Sequence, residues 1–436
     1  MSLGVALPER EVRRSFWLSV FNGALFNFAG RLIDPPVVLT WFVSQLTSSN
    51  LLIGLVTPLS QAGWLLPQVF VSARVQRMRR KMPSYAAAAG IRIAAWLALA
   101  AAVWWVETPA ILLAAFFALY TLAWIAAGLA GLAFFEVTAK TIPAWRRGRL
   151  FATRQLTGGI LSLGAGWVVK AVLTHPALSF PRNHAVLFLL YSIVIVPAML
   201  AFIAIREPPG AATAERMGLG KQLRRGWGFL KKDAVYRRYM LARATLGLAD
   251  IALPFYGVYA KEVLGAPSGI IGWYLTARVG SRLVFNLPWG WVSDKRGNRL
   301  VMRMMSLGYT LTALAALALV AGVEQFQWHG DWLPFLVIPL YLLDGAIRPA
   351  QILAGSNFLL ELAPEEERPL YLGLSNTLMG VVVLASGFGG LLVDLLGFVG
   401  LFATALALST VAYILATGLP EPRWEYERTK GGERSL

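Results

Sequence analysis

The chain has 436 residues, of which 57% are hydrophobic and 14% charged, and its mean hydropathy is +0.59. Soluble domains carry about 25% charged residues, so this chain has too few to cover a water-facing surface. A net charge of +17 would suit nucleic acid, but in so apolar a chain it is read as basic loops at a membrane face, and nucleic acid is not expected as a partner. Cysteine is absent, which excludes disulfides, thiolate metal sites and cysteine nucleophiles.

A helix needs about 20 apolar residues to cross the hydrocarbon core, satisfying its own backbone hydrogen bonds as it goes. The opening stretch MSLGVALPEREVRRSFW has no short apolar core before a small-residue cleavage site, so the first span is expected to stay in the mature protein. Spans are expected near 16–45, 51–73, 84–106, 109–135, 150–174 and 185–205. A second set follows near 238–262, 268–292, 300–322, 333–358, 371–394 and 398–419. Pro35 and Pro36 predict a kink or tilt in the first span. Between the sets, GKQLRRGWGFLKKDAVYRRY reads as a basic helix lying on the membrane surface.

The expected fold is all-α and integral to the membrane. It divides into a six-helix bundle at 1–205, a central loop at 206–237, a second bundle at 238–419 and a tail at 420–436. The even-numbered connections and both termini hold most of the 40 Lys and Arg, whereas the odd-numbered connections hold only Arg182 and Lys261. By the positive-inside rule, both termini and the central loop face the cytoplasm of a cell-membrane protein.

The two sets repeat each other. An offset of 218 residues lays Pro36 on Pro254, Gly54 on Gly272 and Gln76 on Asp294. Later an offset of 221 lays Pro143 on Pro364, Arg147 on Arg368, Gly159 on Gly380 and Gly166 on Gly387. Two parallel six-helix repeats are the physical reading. The loop between spans 8 and 9 runs Gly290-Trp-Val-Ser-Asp294-Lys295-Arg-Gly297-Asn-Arg299. It resembles the loop motif of the major facilitator superfamily, and Ser72-Ala-Arg-Val-Gln76-Arg77-Met-Arg79-Arg80-Lys81 is a degraded copy in the first half.

The resemblance implies a twelve-helix transporter working as a single chain, with this loop as a cytoplasmic gate. That role falls on Gly290, Asp294, Lys295, Gly297 and Arg299, with Arg77 and Arg80 contributing from the first half. Chemistry suits it: Gly290 would let two helices approach and Gly297 would support a tight turn. Asp294 would sit at a positive helix N-terminus, while the basic residues pair with acids or helix C-termini.

Ionisable groups within spans are costly in lipid and usually face a cavity or one another. Arg31 and Asp34 lie three apart in span 1, Asp250 is in span 7, Arg278 and Arg282 share a face of span 8, and Asp344 and Arg348 share a face of span 10. The resemblance places spans 1, 4, 7 and 10 around a central cavity, which makes Asp34, Asp250 and Asp344 cavity residues, and all seven are substrate or proton-coupling candidates. The alternative is that Arg31 with Asp34, and Asp344 with Arg348, are fixed pairs that only pin helix packing. Asp250, with no local partner but Arg278 or Arg282 across the cavity, leads the coupling candidates. The surplus of arginine over carboxylate slightly favours an anionic substrate. Arg92 and Lys170, also within spans, are expected to snorkel or to meet acids.

No phosphate-binding Gly-x-x-x-x-Gly-Lys loop, serine elbow or His-Glu-x-x-His occurs, so neither an ATP-driven pump nor an enzyme is expected. His175, His184 and His329 fall in expected outer loops without metal-ligand spacing, and no cofactor or metal is expected. Span 5 has Gly158, Gly159, Gly164 and Gly166 but no proline, a departure from drug:proton antiporters. Gly30 followed by Pro36-Val37 is a partial likeness to drug exporters. The leading reading is a secondary or facilitative transporter of small organic solutes, with proton coupling an option. A multidrug exporter is the second reading, and a non-transporting sensor, scramblase or assembly factor the third.

Overall fold

The computed structural model describes residues 8–209, 219–364 and 367–421, without the side chains of 68–77, 219–223, 225–226, 356 and 369. The tail expected beyond residue 421, and residues 210–218 of the central loop, lie outside the described residues. Every regular element among those described is helical. In chain order they are α1 (Glu9–Leu32), α2 (Thr40–Leu46), α3 (Asn50–Arg77), α4 (Met82–Trp105), α5 (Pro109–Thr141), α6 (Ala144–Leu163), α7 (Ala165–Leu173) and α8 (Arg182–Ile203). Then come α9 (Leu219–Lys232), α10 (Ala234–Ala249), α11 (Leu253–Glu262), α12 (Ile270–Arg296), α13 (Asn298–Glu324), α14 (Ile338–Leu362), α15 (Arg368–Ser386) and α16 (Gly389–Thr417).

Among the described residues, seven helices are long and apolar enough to cross a membrane: α4, α5, α6 continued by α7, α8, α13, α14 with the turn before it, and α16. Four of the other five expected spans fall short of that measure for physical reasons, and α3, the second span, runs into side chains outside the described residues. The first is interrupted where Asp34 takes an extended conformation ahead of Pro35 and Pro36, as residues before proline do. A π-helical turn, Pro35–Leu39, then leads into α2. The seventh is interrupted at Asp250–Ala252, a 3-10 turn ahead of Pro254. The eighth, α12, carries Arg278 and Arg282 inside its length, and the apolar stretch of α15 among the described residues is the shorter Leu370–Ser386. Both interruptions have an aspartate at their start and a proline shortly after it. The basic helix expected in the central loop is α9, with its tryptophan Trp227 exposed.

The chain forms two compact units. Unit 1 comprises Met1–Thr47, Leu59–Arg216 and Ile271–Thr276; unit 2 comprises Ser48–Pro58, Met217–Ile270 and Ala277–Leu436. In unit 1, α4 packs along α5 and α8, and α1 along α6 and α8. Its core is aromatic: Trp96, Phe116, Tyr120, Phe188 and Tyr191 are fully buried, with Trp96 and Tyr191 rings 4.9 Å apart. In unit 2, α13 packs along α14 and α16, and α10 along α15 and α16. Tyr239 stacks on Phe358 there at 4.9 Å. Large side chains such as Trp105, Leu287 and Leu395 stay exposed, which suits a lipid environment rather than water.

His184 corrects one expectation. It belongs to the first turn of α8, which begins three residues earlier than the expected span, and it is fully buried. Its ring packs 5.0 Å from that of Phe42 while Nδ1 meets the side-chain oxygen of Asn183 at 2.8 Å.

Candidate functional site

The 3.6-residue period puts Asp344 and Arg348 on one face of α14, one turn apart. Asp344 Oδ1 accepts from Arg348 Nε at 2.9 Å and Nη2 at 2.7 Å, and its Oδ2 accepts from Arg278 Nε of α12 at 2.6 Å. Arg348 also grips Asp250 with both terminal nitrogens, each at 2.9 Å, and Nη1 donates to Gln351 at 3.0 Å. The result is a chain of alternating charge, Arg278–Asp344–Arg348–Asp250, inside unit 2. Its side chains are 5–13% exposed. Charges so removed from water need one another, because either one alone would carry its full desolvation penalty. Tyr256, Tyr309 and Thr312 line a cavity beside Asp250 and Asp344 of about 10 Å³, the space of a single water.

This geometry changes two expectations. Asp250 finds its partner in Arg348, through the paired two-point contact that guanidinium and carboxylate geometry favours, rather than in Arg278 or Arg282. Arg278 is committed to Asp344, so it cannot be counted toward a surplus of positive charge. Arg282 lies one turn further along α12, half-buried. In unit 1, Arg31 and Asp34 form the expected pair at 2.7 Å, with Asp34 almost fully buried at the helix interruption.

Three further cations of unit 1 have no such carboxylate partner among the described residues. Arg92, expected to snorkel or meet an acid, is 4% exposed and lies over the rings of Phe26, Trp124 and Tyr191 at 5.0, 5.5 and 5.8 Å. Its position ten residues into α4, with aromatic rings on several sides, is too deep for its head to reach an interface. Arg154 of α6 lies over Phe134 at 4.7 Å and donates to the Asn22 side-chain oxygen from both terminal nitrogens at 3.1 Å, and also to the Ser19 carbonyl. Lys170 rests over Trp167 and Trp273 at 5.9 and 5.0 Å, again without the expected acid.

The loop motif folds as a tight turn between α12 and α13. Gly297 has φ +84°, a conformation in which a side chain is strained. A Cβ there would also strike the carboxylate of Glu421. That carboxylate accepts from the Arg299 backbone N–H at 2.9 Å, at the start of α13, where an anion is favoured. Arg299 also donates to Thr417 O at 3.3 Å, and Ser293, Asn298 and Glu361 form a hydrogen-bonded chain at 2.7 and 2.9 Å. Asp294 and Lys295 are exposed. Gly290 departs from its expected reason: among the described residues a Cβ added there would meet nothing within 4 Å.

In the first half, Arg80 is exposed, and the side chain of Arg77 lies outside the described residues. What unit 1 offers instead is Glu207. Its carboxylate accepts from the backbone N–H of Lys81 at 2.8 and 2.7 Å and of Met82 at 2.7 Å, opening α4, and pairs with Lys140 at 2.6 Å. Burial, and then the neighbouring Lys140, pull the Lys81 ammonium below its ordinary pKa. Glu207 and Glu421 are counterparts that the sequence reading missed. The signal was present in Glu207-Pro208 and Glu421-Pro422, each closing its half.

Known proteins resemble this chain in both sequence and fold. Residues 245–435 match the family model of the Major Facilitator Superfamily. Uncharacterized protein Rv2209 of Mycobacterium tuberculosis and uncharacterized protein Mb2232 of Mycobacterium bovis are each 24% identical over 270 residues. Those matches cover 61% of this chain, which spans about half (51%) the length of each relative. A D-xylose-proton symporter has the same fold with TM-score 0.70 at 15% identity, covering 94% of this chain and 98% of its own. A bacterial homologue of the iron transporter ferroportin, in an inward-facing state, gives 0.68 at 12%, covering 94% and 99%. The nucleoside transporter NupG gives 0.63 at 16%, covering 94% and 98%. The Major Facilitator Superfamily model is thus matched over the second part of the chain, and the fold is shared with these transporters over nearly all its length.

Proposed function

We propose that the protein is a secondary transporter of small organic solutes that works by alternating access. In this reading twelve spans form two halves, 1–205 and 238–419, which rock around a midplane site, with both termini and the 206–237 loop on the cytoplasmic side. The observation that carries it is the alternating charge chain ending at Asp250, where the seventh span is interrupted. Protonation of Asp250 would remove the charge that Arg348 grips with two hydrogen bonds, freeing Arg348 and loosening the break in the helix. A proton would thereby be coupled to a change of helix geometry. Gly297, Arg299 and Glu421, with Asp294 and Lys295, would form the cytoplasmic gate.

The superfamily's fold supports this class of activity, and the relatives' names range from a sugar–proton symporter to a nucleoside transporter. Reconstitution in proteoliposomes tests it. Saturable solute flux that rises with an imposed proton gradient is expected, and Asp250→Asn should lose at least tenfold of the gradient-driven part while retaining exchange. Gradient-driven flux unchanged in Asp250→Asn would remove Asp250 from the coupling step. Lipid exchange without any solute flux would instead favour a scramblase.

A further inference from the structure

Unit 1 holds a half-open cavity of about 130 Å³ whose lining includes Arg92, Arg154, Asn22 and the rings of Phe26, Trp64, Tyr85 and Phe134. Among the described residues no carboxylate lies within ion-pair distance of either arginine, whereas each of the other deeply placed pairs has its partner. Arg92 is more than nine-tenths buried. The cavity is therefore positively charged, apolar-walled and without a counter-ion of its own.

The arrangement is built. Asn22 is 2% exposed, and its Nδ2 donates to the Ala198 carbonyl at 2.7 Å, which turns Oδ1 toward Arg154. Gly23 makes room for the same guanidinium: a Cβ at that position would stand 2.8 Å from Arg154 Cγ and Cζ. One carbonyl, one amide oxygen and a ring occupy only part of the donor capacity of Arg154, since a guanidinium carries five N–H groups.

We propose that this cavity binds a small organic anion, a carboxylate on a flat ring, with the carboxylate held by Arg154 and Arg92 and the ring packed among the aromatic side chains. The charge follows from two guanidinium groups, Arg92 buried and Arg154 partly buried, that hold rings and neutral oxygens but no carboxylate among the described residues. The flat ring follows from the walls, because aromatic side chains favour offset-stacked and edge-on contact with another ring. The size follows from the volume, since a cavity of about 150 Å³ holds benzene. A small inorganic anion would surrender its hydration to walls that are mostly apolar. The site is separate from the charge chain of unit 2, so it stands or falls independently of the coupling proposed for Asp250.

Calorimetric titration of the purified full chain in a non-ionic detergent tests it, with sodium benzoate as the probe. Benzyl alcohol, benzylamine and octanoate are the comparisons. Benzoate is expected to bind at one saturable site, at least tenfold tighter than any of the three. Arg154→Gln and Arg92→Gln should each weaken it tenfold or more. Gly23→Ala should also weaken it, because it displaces Arg154 without altering any charge, and Arg154→Lys should keep part of the affinity. If a glutamine variant does not fold, Gly23→Ala and Arg154→Lys decide. Equal binding of benzyl alcohol would overturn the anion assignment, and equal binding of octanoate would overturn the ring assignment in favour of a lipid-like acid. Unchanged affinity in the folded arginine variants would overturn the site. Benzoate binding without solute flux would sink only the transport reading, and flux without benzoate binding only this one.

Discussion

Asp344 is the member of the charge chain with most to lose, because its two oxygens serve two different arginines. Asp344→Leu takes from the buried Arg278 the carboxylate that meets it at 2.6 Å, while Arg348 keeps Asp250. The single change is expected to cost about 3–5 kcal/mol of stability in detergent. Adding Arg278→Leu should recover most of that, since the stranded charge leaves with its partner. Thermal unfolding of the wild type, both single variants and the double variant measures the coupling; additive losses would mean the pair contributes nothing jointly. The sequence reveals Asp344 with Arg348 because they are four residues apart on a helix. It conceals Asp250 with Arg348, which lie 98 positions apart and meet only after α10 and α14 have packed into unit 2. Arg154 lies inside the expected span 150–174 and was passed over there. It follows Arg146, Arg147 and Arg149 closely, and only the folded position beside Asn22 and Phe134 gives it a distinct environment.

The same carboxylate device opens α4 in unit 1 and α13 in unit 2. Each glutamate sits just past the last helix of its half and accepts N–H groups that the helix start leaves without partners. Glu207→Gln and Glu421→Gln should each lower stability by about 1–3 kcal/mol, since an amide presents one acceptor oxygen where the carboxylate presented two. Gly297→Ala should cost as much again, as it combines a strained φ with a collision against Glu421. Thermal midpoints of the three variants check this, and a Glu421→Gln midpoint equal to wild type would remove the capping role. Most helices were legible as long apolar runs. Their interruptions were half-legible: Pro35 and Pro36 announced the first, whereas the turn at Asp250–Ala252 begins four residues before its proline. Why Gly290 is a glycine has no account in this geometry.

For the molecule as a whole, the repeat was the most informative sequence signal, since paired prolines and glycines at a near-constant offset imply two related halves from the order of residues alone. The gate's role belongs to this scale, because cycling requires both halves. Asp294 is exposed and outside both buried charge sets, so Asp294→Asn should leave expression and monodispersity intact while lowering exchange flux about tenfold. Flux equal to wild type in that variant would take Asp294 out of the gate.

The alternating chain of unit 2 also has an electrical consequence. Two arginines and two aspartates sum to zero, so a swing that carries all four together displaces no net charge across the bilayer. That part of the empty carrier's return would be indifferent to membrane voltage. A proton held on Asp250 leaves the set with one positive charge, and a full traverse of the field is then worth about 2.3 kcal/mol per 100 mV. The resting potential would drive the loaded stroke and leave the empty one alone, giving the cycle its direction from the same four side chains that hold unit 2 together.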